Sequence, residues 1–96
     1  MSTETIVQDN PARQRFELEV DGHVAVADYR LEGDVMVVTH VGVPPAIEGR
    51  GLGTALAKAA LDSARERQLR VVPLCWFVRG YIQRHPAYQD LLAEED

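Results

Sequence analysis

Cysteine is nearly absent from this sequence, which contains Cys75 and no second thiol. A single cysteine excludes an internal disulfide and any zinc site that needs several thiolates. The three histidines are scattered along the chain, and their spacing does not indicate a ligand cluster. We therefore expect no metal cofactor.

Basic residues are also few, since 10 lysines and arginines stand against 15 acidic residues and the formal net charge is −5. Non-specific binding of nucleic acid needs a basic surface, so we expect no nucleic-acid partner. No apolar run is long enough to span a bilayer, and the N-terminus lacks the basic start and apolar centre of a secretory signal. These absences predict a cytoplasmic protein without a membrane partner.

The length and the 46% hydrophobic content are typical of one soluble domain with a modest core. Residues 1–13 are polar and show no periodicity, which predicts a flexible N-terminal arm. Residues 94–96 are all acidic, and we expect them to form a frayed tail. The single folded domain is then predicted to span residues 14–93.

Alternating apolar residues predict three strands in the first half of the chain. Residues 14–20 and 23–31 both alternate between the two faces of a strand, and the dipeptide Asp21-Gly22 between them is a strong hairpin signal. Residues 35–43 form a β-branched run, which is typical of a well-buried strand. Together these segments predict a three-stranded antiparallel meander.

The third strand ends at two prolines, Pro44 and Pro45, and after them apolar residues recur at every third or fourth position instead of every second. This pattern predicts an amphipathic helix over residues 51–68, a short strand over 70–75 and a second helix over 76–84. Because a helix joins two strands, we expect the last strand to lie parallel to the third. The predicted fold class is α/β (α+β), with a mostly antiparallel sheet that contains one parallel pair.

A glycine-rich turn lies between the third strand and the first helix, with Gly49, Gly51 and Gly53 placed around Arg50. Glycine permits a positive φ and a close approach of other groups. The start of a helix presents unpaired N–H groups and the positive end of the helix dipole, which together favour phosphate. The turn therefore predicts a phosphate cradle, with a purely structural loop as the alternative. The sequence lacks the Gly-Lys-Ser/Thr of a nucleotide P-loop. It also lacks the third glycine that a dinucleotide fingerprint, Gly-x-Gly-x-x-Gly, requires three residues after its second glycine.

The order of these elements resembles the core of the GCN5-related N-acetyltransferases (GNATs). The resemblance extends over about residues 16–92 and is closest to a subgroup of small, single-domain predicted acetyltransferases. The motifs that carry it are Val43-Pro-Pro-Ala46, Gly49-Arg-Gly-Leu-Gly53, Val71-Val-Pro-Leu-Cys75 and Tyr81-Ile-Gln-Arg-His-Pro-Ala-Tyr88. Together the motifs are specific, whereas the glycine motif alone would be weak.

The resemblance implies a minimal GNAT fold and acetyl-CoA as the acyl donor, with direct attack of an amine on the thioester. The pyrophosphate would be held by backbone amides of the glycine-rich turn. The pantetheine arm would lie in a splay between the third strand and the parallel strand. The residues that we expect to bind the coenzyme are Val43, Arg50, Gly51, Leu52, Gly53 and Thr54.

Several features depart from the family pattern. Glu48 stands where the family has Gln or Arg, and we expect its side chain to point away from the phosphate. Gly42 stands where the subgroup has an acid, so an obvious carboxylate base is missing, and Trp76 stands where the subgroup has a proline. The sequence also lacks the two helices that usually wall the acceptor site, which implies an open groove for a bulky or peptide-like amine.

Three side chains are candidates for the chemistry. Cys75, at the end of the parallel strand, is a candidate to donate a proton to the departing thiolate or to carry an acyl group transiently; the alternative is a small buried hydrophobe. Tyr81 fits the family position of the tyrosine that protonates the coenzyme sulfur, or is an ordinary amphipathic tyrosine. His40 is a candidate general base or a structural histidine, and strict alternation places it on the opposite face from Val37 and Val41.

The predicted function is therefore an acetyl-CoA-dependent N-acetyltransferase that acts on an amine of unknown identity. The alternative is a non-catalytic module that binds acyl-CoA or a partner protein with the same pocket, and the missing acid at Gly42 keeps that alternative open. A protein that keeps the fold but binds no ligand is a third reading. Either a monomer or a homodimer is compatible with the sequence.

Overall fold

The computed structural model describes residues 6–93, so the acidic tail predicted over 94–96 lies outside the described residues. Within residues 6–93, five strands form one sheet in sequence order, and only the last two of these strands run parallel. This arrangement confirms the predicted α/β fold with its antiparallel meander. The elements are β1 (Gln8–Asn10), β2 (Arg15–Val20), β3 (His23–Glu32), β4 (Val35–Gly42), α1 (Leu52–Glu66), β5 (Arg70–Pro73) and α2 (Trp76–Arg84), with 3₁₀ turns at Pro45–Ile47 and Pro86–Leu91.

The first strand, β1, lies in the segment for which the sequence analysis predicts a flexible arm. It pairs antiparallel with β2, and Asn10 donates a hydrogen bond of 3.1 Å to Glu17. The Tyr29 hydroxyl donates to Asp9 at 2.7 Å and fixes the strand against the sheet. Residues 8–10 therefore correct the expectation of an unstructured arm. Their pairing rests on contacts with distant residues, which local periodicity does not reveal.

One face of the sheet packs against both helices and forms the core. Three alanines of α1, Ala57, Ala60 and Ala64, are at most 1% exposed, so the helix lies close to the sheet. Within residues 6–93 no helix covers the other face, where Val24 is 41% exposed. No helix in this range is both long enough and apolar enough to cross a bilayer. The core side chains of β2, β3 and β4 are Phe16, Leu18, Ala25, Ala27, Tyr29, Met36 and Val38.

A β-bulge in β4 reorients the second half of that strand. Asp28 pairs with His40 and Tyr29 with Val38, so Thr39 has no partner in β3. An extra residue shifts the alternation by one position. Without the bulge, His40 would share the core face with Val38, as the sequence pattern predicts; with it, His40 lies exposed on the uncovered face. We call this uncovered side of the sheet the open face.

The strands β4 and β5 part after Val38. Their regular pairing ends at Val38 and Pro73. The N–H groups of Leu74 and Cys75 then both donate to the Val38 carbonyl, at 3.0 and 3.2 Å. Among the described residues, 39–42 of β4 consequently have no partner strand on the side of β5. The gap is the predicted splay.

The outer edge of β5 is blocked against further strand pairing. Pro73 has no N–H to offer, and its carbonyl accepts a hydrogen bond of 3.3 Å from Arg79. The Val71 carbonyl accepts from the Ala93 N–H at 3.0 Å. These contacts leave few free backbone groups on an edge that would otherwise favour association.

The C-terminal 3₁₀ turn is tied to α1 by two sets of polar contacts. The Arg65 guanidinium donates to both carboxylate oxygens of Asp90, at 3.0 and 2.9 Å. The Tyr88 hydroxyl of the turn donates to Asp62 of α1 at 2.7 Å. Lys58, one turn earlier on the same helix, also donates to Asp62 at 2.7 Å. Burial alone would raise the pKa of Asp62, but the hydrogen bonds from Lys58 and Tyr88 outweigh it and lower the pKa below its usual value.

We predict that Asp62→Asn destabilises the protein at neutral pH and less in acid. Folding lowers the pKa of Asp62, so the stabilisation from its ionised form is present above the unfolded pKa of about 3.9. That stabilisation is lost as the pH falls through the lower folded value. At pH 7 the free energy of unfolding should fall by about 1 kcal/mol, the usual size for one hydrogen bond.

Urea unfolding of the wild type and the variant, measured from about pH 7 down to about pH 3, tests this. Glu66→Gln is the control, because Glu66 lies on the same helix and makes no side-chain hydrogen bond or ion pair within residues 6–93. The control should change stability little. A difference for Asp62→Asn that stays constant across the pH range would contradict the prediction.

Candidate functional site

The glycine-rich turn leaves the start of α1 without a side-chain cap. Gly49 and Gly51 have φ values of 82° and 72°, in the left-handed region. A Cβ on either residue would meet nothing within 4 Å, so the backbone conformation, and not a lack of space, requires glycine there. Gly51 is the N-cap of α1 and makes no capping side-chain hydrogen bond. The first amides of the helix are therefore available to a ligand.

These amides open into a cavity of about 370 Å³. Phe77, from α2, forms the wall opposite the turn. A Cβ on Gly53 would lie 3.0 Å from the Phe77 ring, so the absence of a side chain there lets the ring approach α1. The lining residues are Val43, Glu48, Gly49, Gly51, Leu52, Gly53, Thr54 and Phe77. Five of the six predicted coenzyme-binding residues are in this set.

The sixth predicted residue, Arg50, is held at the rim. Its guanidinium forms an ion pair of 2.9 Å with Asp21 in the β2–β3 turn, and both side chains are largely exposed. Glu48 is among the residues that line the cavity. Its N–H donates to the Pro45 carbonyl at 3.3 Å, so the 3₁₀ turn carries it to the rim. One residue of the lining is therefore acidic.

Cys75 lies where β5 ends and α2 begins. It is the N-cap of α2, and its carbonyl accepts the Arg79 N–H at 3.1 Å. Its side chain is half-buried and is a free thiol. The neighbouring Trp76 is 80% exposed, and its ring lies 6.1 Å from the ring of Phe77. The backbone of Cys75 is therefore at the start of the splay, and its side chain packs against the hydrophobic core.

His40 and Tyr81 are placed differently. His40 lies next to the splay, two residues beyond Val38, the last residue of β4 that pairs with β5. Its side chain is exposed on the open face. Tyr81 is 4% exposed, and its ring stacks on His85 with a centroid distance of 4.0 Å. None of the three candidates, Cys75, His40 and Tyr81, is among the residues that line the cavity. The structure thus brings Cys75 and His40, but not Tyr81, to the point where the strands part.

Sequence reasoning missed the wall residue Phe77 and the Asp21 partner of Arg50. The signal for Phe77 was present in Gly53, because a glycine in the first turn of a helix often marks a close approach. No local signal could have found Asp21, which reaches Arg50 only through the fold.

A larger cavity, of about 720 Å³, lies at the outer edge of β5. It is lined by parts of β5, α2 and the C-terminal segment, among them Leu74, Arg79 and Leu92. None of the predicted site residues lines it, so its size does not make it the better candidate. Within residues 6–93, no group of three or more His, Cys, Asp or Glu side chains could hold a metal ion.

Comparison with known proteins supports the resemblance that the sequence motifs indicate. A family model described as GCN5-related N-acetyl-transferase matches residues 15–91. Protein NATD1 of Mus musculus is 35% identical over 88 residues, which cover 88% of this chain and 80% of that protein. Protein NATD1 of Danio rerio is 32% identical over 94 residues, which cover 95% of this chain and 86% of that protein.

Among solved structures, the NMR structure of a GCN5-like protein from Staphylococcus aureus matches with a TM-score of 0.74. The match covers 99% of this chain and 94% of the other, at 23% sequence identity, and it supports the fold alone. The family model covers most of the chain, and the curated relatives match along most of their own length. The chain belongs to the GCN5-related N-acetyltransferase family.

Proposed function

We propose that this protein is an acetyl-CoA-dependent N-acetyltransferase. The observation that carries the proposal is the uncapped start of α1, whose amides open into a cavity that Val43 joins to the end of β4. Backbone N–H groups of Gly51, Leu52, Gly53 and Thr54 would hold the coenzyme pyrophosphate there. The pantetheine arm would then follow the unpaired edge of β4 along residues 39–43.

This placement puts the thioester between Cys75 and His40. The acceptor amine loses a proton to His40 and attacks the thioester carbonyl carbon. Collapse of the tetrahedral intermediate breaks the carbon–sulfur bond and releases the coenzyme thiolate. Cys75 is the proposed donor of the proton that the thiolate takes up, because its backbone N–H contacts the Val38 carbonyl where the strands part.

The acceptor would approach from the open face. No helix within residues 6–93 covers that face, and Trp76, the first residue of α2, is 80% exposed. A wide approach suits a bulky or peptide-like amine better than a small, fully enclosed one. The acceptor class is therefore proposed to be a large primary amine.

A non-catalytic module that binds acyl-CoA or a partner protein is the second candidate function. The observation that favours it is Gly42, which stands where the subgroup has an acid and so leaves the strand beside the splay without a carboxylate base. The same coenzyme site would serve this module. The two functions differ only in whether an amine accelerates the release of coenzyme thiol.

We predict that Gly51→Ala weakens acetyl-CoA binding by about tenfold or more, because a Cβ disfavours the left-handed N-cap that presents the amides. Gly33→Ala is the matched control, since Gly33 also has a positive φ, 62°, and free space around it, but lies in the β3–β4 turn. Both variants should lose roughly 1 kcal/mol of stability from backbone strain.

The titration can be followed by fluorescence of Trp76, the chain's only tryptophan, which lies beside the proposed site. Isothermal calorimetry provides a second reading of the dissociation constant. Wild-type protein that binds no acetyl-CoA at millimolar concentration would remove both candidate functions. Equal loss of affinity in the two variants would show that general destabilisation, and not the cradle, is responsible.

We predict that Cys75→Ala lowers kcat for amine-dependent thiol release by about 10²-fold, the usual minimum for loss of a positioned acid. Acetyl-CoA affinity should be nearly unchanged, because the pyrophosphate contacts remain. Tyr81→Phe should reduce kcat by less than about threefold, because the proposed proton donor is Cys75.

Release of free thiol with a panel of amines and peptides measures both variants. The mass of the intact protein after mixing with acetyl-CoA alone adds a separate test. A wild-type adduct of one acetyl group that is absent from Cys75→Ala would replace direct transfer by an acyl-cysteine route. Undiminished turnover in Cys75→Ala would exclude an essential role for the thiol.

A further inference from the structure

The space above Gly42, on the open face of β4, is filled by the imidazole of His40. A Cβ built on Gly42 would lie 2.8 Å from Nε2 of His40, 3.5 Å from Cδ2 and 3.7 Å from Cε1. A real Cβ does not tolerate 2.8 Å, so any side chain at position 42 would displace the ring. We infer that Gly42 is a positioning residue: because it has no side chain, the His40 imidazole can occupy the space above it. There, beside the splay, the imidazole accepts the proton of the acceptor amine.

The β-bulge at Thr39 makes this arrangement available. It turns His40 out of the core, and Gly42 then follows two positions later on the same face. Side chains two residues apart on a strand stand about 7 Å apart at their bases, and they lean along the strand. The imidazole leans towards the end of β4, because its Nε2 is the ring atom nearest to the Gly42 position. Nε2 therefore points towards the end of the strand at which Val43 joins the coenzyme cavity.

The backbone does not explain the glycine. Gly49 and Gly51 have positive φ values, whereas Gly42 does not. An alanine can adopt the backbone conformation of Gly42, and a glycine-to-alanine change at such a site usually stabilises a protein slightly through the unfolded state. The atom in the way is the far end of an exposed side chain, which can rotate. Gly42→Ala should therefore fold normally and differ mainly in where the His40 ring lies.

The first test is the position of the ring, and it needs no activity. In the wild type, NMR should show nuclear Overhauser contacts between the His40 ring protons and the Gly42 Hα protons. In Gly42→Ala those contacts should weaken and the His40 ring signals should shift. The rings of His23 and His85 are internal controls and should not move. A wild-type ring without contact to Gly42, or a ring unmoved by the substitution, would overturn the inference.

The second test is kinetic, and it rests on the proposed N-acetyltransferase activity. Gly42→Ala should lower kcat about tenfold and leave KM for acetyl-CoA within about twofold, because the coenzyme cradle is untouched. In a His40→Ala background, Gly42→Ala should have no further effect on kcat. Exogenous imidazole should restore part of the activity of His40→Ala.

The outcomes separate this inference from the proposed function. Additive effects of the two substitutions, or a loss confined to KM, would overturn the positioning role while leaving the N-acetyltransferase intact. Wild-type protein that binds acetyl-CoA but releases no thiol with any amine would remove the enzyme and the positioning role together. In that case the contact between His40 and Gly42 would be structural and would have no catalytic role.

Discussion

The parting of β4 and β5 after Val38 is the constraint on which the site depends. The Val38 carbonyl accepts from both Leu74 and Cys75, so the first two amides after β5 converge on one acceptor. The chain then enters α2, where Phe77 packs against Gly53 at the start of α1. The contact between the two helices draws the chain away from β4. One packing arrangement thus produces both the splay and the wall of the cavity.

Local dipoles, and not the overall charge, make the cavity suitable for an anion. The protein carries a formal charge of −5, Glu48 lies in the cavity wall and Asp21 neutralises Arg50 at the rim. Long-range steering of an anionic coenzyme is therefore unfavourable. The field of the first amides of α1 acts only within about a turn of the helix end. Affinity for a diphosphate then depends on the geometry that Gly49 and Gly51 maintain.

The hydrophobic core and the open face lie on opposite sides of the sheet. Small alanines on α1 let the helix lie close to one side of the sheet, which concentrates the core there. The bulge at Thr39 moves one polar side chain, His40, from that core to the opposite side. A coenzyme in the splay would be reached by an acceptor from the uncovered side, without displacing core residues.

The sequence by itself determined the features that arise from local patterns. Apolar periods of two and of 3.6 residues predict the meander and both helices, and the glycines of the turn predict the uncapped start of α1 because positive φ is a property of single residues. Tertiary structure alone decided the face of His40, the burial of Tyr81 and the pairing of residues 8–10. A bulge changes alternation through the partner strand, and burial depends on which distant residues meet. Neither is encoded in the spacing of neighbouring residues.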